Sequence, residues 1–288
     1  MLLIPETHQE IHHFSCLQKE LNSLQSFYLA STKFKVIVTV VDNNSTDESV
    51  EMVQKEFSWV NLIATDENNG FSAGNNIALK KTTARYCMLL NSDTELNEKS
   101  HFDLLLEYLE MNPKVGVVTP RVLLPNGELD LSCHRGEPTL WASLTYFLKL
   151  EKRFPGNPRF SQYHQMYKDF ETIHEIDACS GAAMIVRTSA MKKVGLLDER
   201  FFMYAEDLDW CKRFRDAHFR IMYFPKVSLI HHKYKSGIKS SSSQTSTKIR
   251  MHFYDTMLQY FDKHYAQNYP GFVRKLVKYF LFIKKGGL

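Results

Sequence analysis

Tyr86-Cys87-Met88-Leu89-Leu90-Asn91-Ser92-Asp93-Thr94-Glu95 decides the fold, because an apolar run stops there abruptly in small polar and acidic residues. A short apolar run with such an ending reads as a buried strand whose last side chains reach an edge of the sheet. In open α/β sheets ligands gather at the carboxyl ends of the strands, which puts Asn91 and Asp93 where a ligand sits. A carboxylate in that place suits a divalent cation carrying phosphates, since hard cations take oxygen ligands and keep positions free for substrate. The same residues also read as a helix cap, with Asp, Thr and Glu favoured in a first turn.

Working outward, Leu2-Leu3-Ile4-Pro5 reads as a first strand and the stretch from Phe14 to Tyr28 as a helix. The β-branched run Phe34-Lys35-Val36-Ile37-Val38-Thr39-Val40-Val41 ends in Asp42-Asn43-Asn44-Ser45-Thr46-Asp47, ahead of a helix-like stretch from Glu48 to Phe57. Val60 to Ala64 is a third strand, and Asn68 to Asn76 is a glycine-containing loop running into another helix. This alternation predicts βαβ units and a mainly parallel sheet. Beyond Asp93, Phe102 to Met111 predicts an amphipathic helix and Val115 to Thr119 a strand, which Pro120 is expected to end. From Arg121 to Glu175 only the turn signal Pro125-Asn126-Gly127 stands out.

Small residues at Ser180-Gly181-Ala182-Ala183 then permit close backbone approach. Met203 to Arg213 starts a helix carrying Glu206, Asp207 and Asp209 in its first turn. Ile221 to Phe224 and Val227 to Ile230 read as paired strands around Pro225, the second running into His231-His232. Lys233 to Lys248 is basic and serine-rich. The tail from Ile249 to Lys285 reads as helical with a break at Pro270-Gly271; Phe272, Val273, Leu276, Val277 and Phe280 share one face, with Arg274, Lys275 and Lys278 opposite. Each polar cluster has an ordinary alternative: a turn at Asp42, a helix dipole for the acidic trio, plain hydrogen bonding for the histidines.

A chain of 288 residues with 44% hydrophobic content can bury a full core. A net charge of +4 suits a polyanionic ligand or an anionic membrane surface and is too weak to imply nucleic acid. The five cysteines are an odd number without a C-x-x-C pair, which fits reduced buried thiols of a cytoplasmic protein rather than disulfides or a zinc site. No basic leader and no run of 18 apolar residues predicts neither export nor a membrane span.

In joint order the motifs resemble the family 2 glycosyltransferases, in particular the bacterial branch that includes rhamnosyltransferases of surface polysaccharide assembly. The resemblance runs from Leu2 to Tyr265. It is carried by Val41-Asp42-Asn43-Asn44-Ser45-Thr46-Asp47, Asn69-Gly70-Phe71-Ser72-Ala73-Gly74-Asn75-Asn76 and Leu90-Asn91-Ser92-Asp93-Thr94. Gly181-Ala182-Ala183-Met184, Gly195-Leu196-Leu197-Asp198-Glu199-Arg200-Phe201-Phe202-Met203-Tyr204 and Glu206-Asp207-Leu208-Asp209 add the most specific match. It implies a GT-A fold over 1–248, with a nucleotide-binding half (1–120) and an acceptor-binding half (121–248), followed by a helical tail (249–288).

The implied reaction is inverting transfer of a sugar from a nucleoside diphosphate, dTDP-rhamnose or a UDP-hexose, to a glycan or lipid-linked acceptor. The implied site places Thr7, Asp42, Gly74, Asn91 and Gly181 along the nucleotide sugar, and Asp93 and His231 on Mg²⁺ or Mn²⁺. It makes Asp207 the base, helped by Glu206 and Asp209. Two departures stand out: Thr7-His8-Gln9 replaces the family's usual Thr-Tyr-Asn, and Lys233-Tyr234-Lys235-Ser236 replaces a glycine-rich stretch. The basic loop from Lys233 to Lys248 is expected to close over bound donor, and the tail to dock on an anionic inner leaflet or to pack on the catalytic domain or a second subunit. A catalytically silent scaffold is the alternative function, and retention of Asp93, Asp207 and a histidine argues against it. A dinucleotide oxidoreductase is weaker still, since no G-x-G-x-x-G follows the first strand.

Overall fold

The computed structural model describes residues 2–5, 33–233 and 243–285. Thr7, the helical stretch from Phe14 to Tyr28 and most of the basic loop, residues 234–242, lie outside the described residues.

The strands are β1 (Leu2–Pro5), β2 (Ile37–Asp42), β3 (Asn61–Ala64), β4 (Ala84–Leu90), β5 (Thr94–Glu95), β6 (Val115–Leu123), β7 (His174–Ile176), β8 (Ala183–Arg187) and β9 (Arg220–His231). They form one sheet in the order β3-β2-β1-β4-β8-β6-β9-β5, with β7 also on β9. The expectation of a mainly parallel sheet is corrected here. Only β2–β3 and β6–β9 are parallel pairs among the described residues, because β1 is inserted antiparallel between β2 and β4, and β8 antiparallel between β4 and β6. The strands β2, β3, β4, β6 and β9 still all point one way, as βα units require. Their carboxyl ends therefore share one edge, and β8 begins there too, with Ala183 opposite Leu90. That edge collects Asp42, Asn91, Asp93, Gly181 and His231.

The helices are α1 (Ser49–Glu56), α2 (Gly70–Leu79), α3 (Phe102–Met111), α4 (Leu140–Phe147), α5 (Leu150–Arg153), α6 (Thr188–Val194), α7 (Glu206–Asp216), α8 (Ser243–His264) and α9 (Gly271–Lys285). In α3 the buried residues Phe102, Leu105, Leu106 and Leu109 follow the helical period, so one stripe faces the sheet. The core runs along β4, β8 and β6, where Cys87, Leu89, Val117, Val118, Met184 and Val186 are sealed from solvent. Each such side chain contributes about 1.5–3 kcal/mol relative to exposure.

Two strands run further than their prolines suggest. β6 continues through Pro120 to Leu123, and β9 is one strand through Pro225 rather than two paired ones. The register steps from Pro120 opposite Phe224 to Arg121 opposite Ser228, so β9 loops out Pro225, Lys226 and Val227 where the prolines lack ladder N–H groups. This bulged continuation is what carries His231 to the ligand edge.

The parts of the chain before and after residue 120 lock together through α2. Asn76 donates to the Leu197 carbonyl and to Glu199, and accepts from the Leu197 amide. The Phe71 amide and the Ser72 hydroxyl both donate to carbonyls of the 201–202 segment. Gly70 sits at φ +78°, and an added Cβ would collide with the Phe202 carbonyl and ring. Only glycine satisfies both demands.

The boundary expected after residue 248 falls inside α8. The end of α8 is held to α7 by Asp209, which accepts from Arg213 at 2.9 Å and pairs with Lys263 and with His264 at 2.7 Å. α9 packs Phe280 on Phe147, with ring centroids 5.2 Å apart, and buries Leu281. The single apolar face expected of this helix proves to be two. Val273, Val277, Phe280 and Leu281 turn toward α4 and α8, while Phe272, Leu276, Tyr279, Phe282 and Ile283 stay 39% to 63% exposed. Among the described residues no helix is long and apolar enough to cross a membrane.

Gly70→Ala should destabilise the protein by about 2–4 kcal/mol, since it combines a left-handed φ with a backbone clash. Urea unfolding would measure it.

Candidate active site

Asp42, last in β2, is buried; its Oδ2 accepts the Ser45 amide at 3.0 Å, while Oδ1 is buried with no partner among the described residues. A buried carboxylate oxygen left unmatched is costly, so an incoming N–H donor would relieve it. The adjacent Asn43 braces the loop before α2, donating to Asn68 and the Gly70 carbonyl and accepting the Asn69 amide. Gly74 lies beside Asn43, and a Cβ there would make only ordinary contact at 3.6 Å. At Gly181 the space of a side chain is taken by Phe71, which would be 2.9 Å from a Cβ. Asn91 is half-buried and fixed through its backbone, donating to the Ala182 carbonyl and accepting from Thr94.

Past β4, Asp93 Oδ1 lies 3.1 Å from His231 Nε2, and His231 Nδ1 lies 3.1 Å from Asp130 Oδ2. The backbone closes the same contact, the His232 amide donating to the Asp93 carbonyl at 2.7 Å. Lys233 donates to Asp130 Oδ1 at 2.8 Å, as does the Ser132 amide at 3.1 Å. Burial alone would lower the His231 pKa, but its hydrogen bonds to Asp130 and Asp93 and their charges outweigh burial and raise it to about 9. Burial likewise works against ionising Asp130, yet His231 and Lys233 hold its pKa well below the ordinary carboxylate range.

Asp93 and His231 fit a divalent cation. One carboxylate oxygen and one imidazole nitrogen converge, and Asp130 behind Nδ1 is the carboxylate that commonly orients a ligating histidine. Among the described residues no three His, Cys, Asp or Glu side chains form a ready-made cation cage. His231 lies between the two carboxylates rather than beside them, so further ligands would come from a phosphorylated substrate.

Glu206 and Asp207 open α7 directly after Tyr204 and Ala205, both left-handed at φ 71° and 64°. Two such residues in succession aim the helix start, at a conformational cost held by the surrounding structure. Asp207 Oδ2 accepts Arg135 Nη2 at 2.6 Å and Oδ1 accepts the Leu208 amide at 2.7 Å. Glu206 is buried with Oε2 unpartnered among the described residues, and burial, then the charge of Asp207, raises its pKa to about 8. Asp209, expected beside Asp207, faces the other way into its cluster with Arg213, Lys263 and His264. Asp207 and Glu206 instead line a cavity of about 480 Å³ with Arg135 and Tyr163.

Two residues that sequence reasoning missed join these clusters. Asp130 and Arg135 flank the short 3₁₀ turn Leu131–Cys133, one reaching His231 and the other Asp207. Their signal was faint: an acid and an arginine after the Asn126-Gly127 hairpin, with no regular period between them.

The sequence profile of Glycosyl transferase family 2 matches residues 7–194. The chain belongs to this family. The glycosyltransferase is 27% identical over 256 residues to the N-acetylglucosaminyl-diphospho-decaprenol L-rhamnosyltransferase of Mycobacterium tuberculosis, covering 84% of this chain and 79% of that one. It is 25% identical over 198 residues to the low-salt glycan biosynthesis hexosyltransferase Agl10 of Haloferax volcanii, covering 67% and 58%. A shorter match, 40% over 57 residues, covers 20% of this chain and 22% of the rhamnosyltransferase WbbL of Escherichia coli. The glycosyltransferase is thus rhamnosyltransferase-like in sequence. Among solved structures, the mannosyltransferase of Pyrobaculum calidifontis, in complex with GDP-Man and Mn²⁺, superposes with a TM-score of 0.58 at 16% identity, covering 94% of this chain and 68% of that one. GalNAc-T7 with UDP, GalNAc and Mn²⁺ gives 0.61 at 12%, covering 87% and 47%. These likenesses establish the GT-A fold.

Raised and lowered pKa values oppose one another in the pH dependence of stability. The contribution of protonated Glu206 is complete below its ordinary 4.5 and is lost as pH rises through about 8. That of protonated His231 is complete below 6.5 and is lost as pH rises through about 9. Burial pushes His134 down to about 4, so its contribution is present above 6.5, is lost as pH falls through about 4, and offsets that of Glu206 in between. In EDTA the melting temperature should therefore fall between about pH 6.5 and about pH 9, with Glu206→Gln and His231→Gln each flattening the fall.

Proposed function

We propose that this glycosyltransferase is inverting and metal-dependent, moving a sugar from a nucleoside diphosphate, dTDP-rhamnose or a UDP-hexose, to a hydroxyl of a glycan or lipid-linked acceptor in surface polysaccharide synthesis. The observation that carries this is the segment Asp130–Arg135, which ties the Asp93–His231 pair to Asp207 within six residues. Rhamnosyltransferase relatives favour dTDP-rhamnose as the first donor to test.

Asp42 Oδ1, unmatched among the described residues, suits an N–H of the base. Asp93 and His231 would hold Mg²⁺ or Mn²⁺ with the diphosphate; when bound, such an ion offsets the charge of the departing diphosphate. Lys233, bonded to Asp130 at 2.8 Å, adds positive charge at the same edge. Asp207 takes the proton of the acceptor hydroxyl as its oxygen bonds to the anomeric carbon and the bond from that carbon to the diphosphate oxygen breaks. Arg135 and the Leu208 amide fix both oxygens of Asp207, which orients the base. Glu206, kept protonated by burial at neutral pH, is a hydrogen-bond donor beside it rather than a second base. The catalytic unit spans 1–248, and the tail at 249–288 contacts an anionic cytoplasmic membrane surface through α9, where Lys275 and Lys278 flank exposed Phe272 and Tyr279.

In a turnover assay across dTDP-rhamnose and UDP-hexoses with Mg²⁺ or Mn²⁺, Asp207→Asn should lower turnover at least about 100-fold and leave nucleotide affinity unchanged. EDTA should abolish turnover of the parent enzyme. Near-normal turnover of Asp207→Asn would remove the base assignment. Flotation with anionic liposomes tests the tail: full-length protein should float and the Lys275→Glu/Lys278→Glu variant should not, with neutral liposomes capturing little of either.

A further inference from the structure

The cavity beside Asp207 is walled mainly by apolar groups. Leu140, Phe147, Met257, Val277 and Phe280 line it from α4, α8 and α9, with Tyr163, Thr256 and Tyr260 among them, and Arg135, Glu206 and Asp207 complete its wall. Acceptor hydroxyls pressed on such walls would lose water without gaining partners, whereas hydrocarbon would gain by leaving water. Glu206 Oε2, Arg135 Nε and the Tyr260 hydroxyl are buried without partners among the described residues, in residues only 6%, 8% and 4% exposed. These few groups are prepared for the polar part of a ligand, and the apolar walls are not. At about 480 Å³ the space lies within the range of small-ligand pockets.

The cavity also communicates with the surface in one direction. Leu144 and Leu276 line it, yet are 43% and 60% exposed, so its mouth lies on the apolar face shared by α4 and α9. Trp141 and Leu148 extend that face on one side, Phe272 and Tyr279 on the other. Exposed Lys149, Lys152 and Arg153 follow α4, and Lys275 and Lys278 lie on α9, so the apolar mouth has a basic fringe. The hydrophobic walls suit a long apolar chain, the basic fringe suits the anionic surface from which such a ligand comes, and Arg135 Nε inside the cavity offers a charged donor to a phosphate-linked, hydroxyl-bearing head.

We propose that this cavity receives the hydrocarbon chain of a phosphate-linked lipid acceptor, which enters from the membrane-facing side of α4 and α9 and presents its head group at Asp207. This rests on the transferase reading above and narrows its acceptor to the lipid-linked class. The donor occupies the edge at Asp42 and Asp93, so the two ligands approach the reacting centre from different sides of the Asp130–Arg135 segment.

The test is calorimetric, on the full-length chain, with inorganic phosphate and with octyl, decyl and dodecyl phosphate held below their micellar concentrations. Affinity should rise up to about fourfold per added methylene, the expectation for chain burial, and inorganic phosphate should bind far more weakly than any of the three. Met257→Trp and Val277→Trp fill the cavity from α8 and from α9. Each should flatten the chain-length series while keeping parent affinity for dTDP or UDP with Mg²⁺, which also certifies that the variant is folded. A flat series on the parent protein overturns the proposal, as does an unchanged slope in a folded variant. Absence of nucleotide binding by the parent protein would sink the donor reading instead and leave the chain-length series standing as evidence on the cavity alone.

Discussion

His231 sits between Asp93 and Asp130 at 3.1 Å on each side, and Asp130 in turn holds Lys233. Five residues along, Arg135 holds Asp207. These charges are taken out of water, which costs several kcal/mol for each ion, so every one must stay paired. Removing one partner from a buried pair typically costs about 3–5 kcal/mol because the other is left stranded. The requirement fixes where β4, β9 and α7 end relative to one another, and through them the whole ligand edge. Hydrophobic packing alone would tolerate small slips between these elements, whereas a bonded chain of ions does not.

The same principle separates two neighbouring carboxyls. Glu206 and Asp207 are adjacent in sequence and both buried, but only Asp207 has a guanidinium and an amide on its oxygens. Among the described residues no cation pairs with Glu206, Arg135 being taken by Asp207, and ionising Glu206 beside Asp207 would put two like charges in a poorly hydrated space. Burial therefore keeps it neutral to about pH 8 while its neighbour takes the pairing. Two adjacent carboxyls thus differ in charge at neutral pH through their surroundings, although the residues differ only by a methylene.

Strand-end chemistry made much of this legible from sequence. Asp42, Asp93 and His231 each follow a β-branched or apolar run, and the structure brings all three to one edge, because the strands that deliver them share a direction even though β1 and β8 run against them. What stayed hidden was long-range. Asp130 and Arg135 lie in a segment with neither a hydrophobic period nor a motif, and their roles exist only after β6 has run on through Pro120. Pro120 and Pro225 pointed to strand ends, since proline cannot donate to a ladder; opposed near a register step, they are absorbed by a bulge instead. Asp209 misled for another reason. First-turn position predicts which residues crowd a helix start but not which way each faces, and at Asp209 the attraction of Arg213, Lys263 and His264 decides.

That last cluster bears on how the surroundings of Asp207 are built. Asp209 is fully buried and two residues from Asp207, so a shift of α8 large enough to release Lys263 and His264 would leave its charge to Arg213 alone and load the first turn of α7. α8 and α9 also supply cavity walls through Met257, Val277 and Phe280. The orientation of Asp207 and the width of the apolar cavity are therefore not independent: both depend on the seating of the same tail helices. The edge at Asp42 is held separately, by Asn43 and by the α2 lock on Leu197.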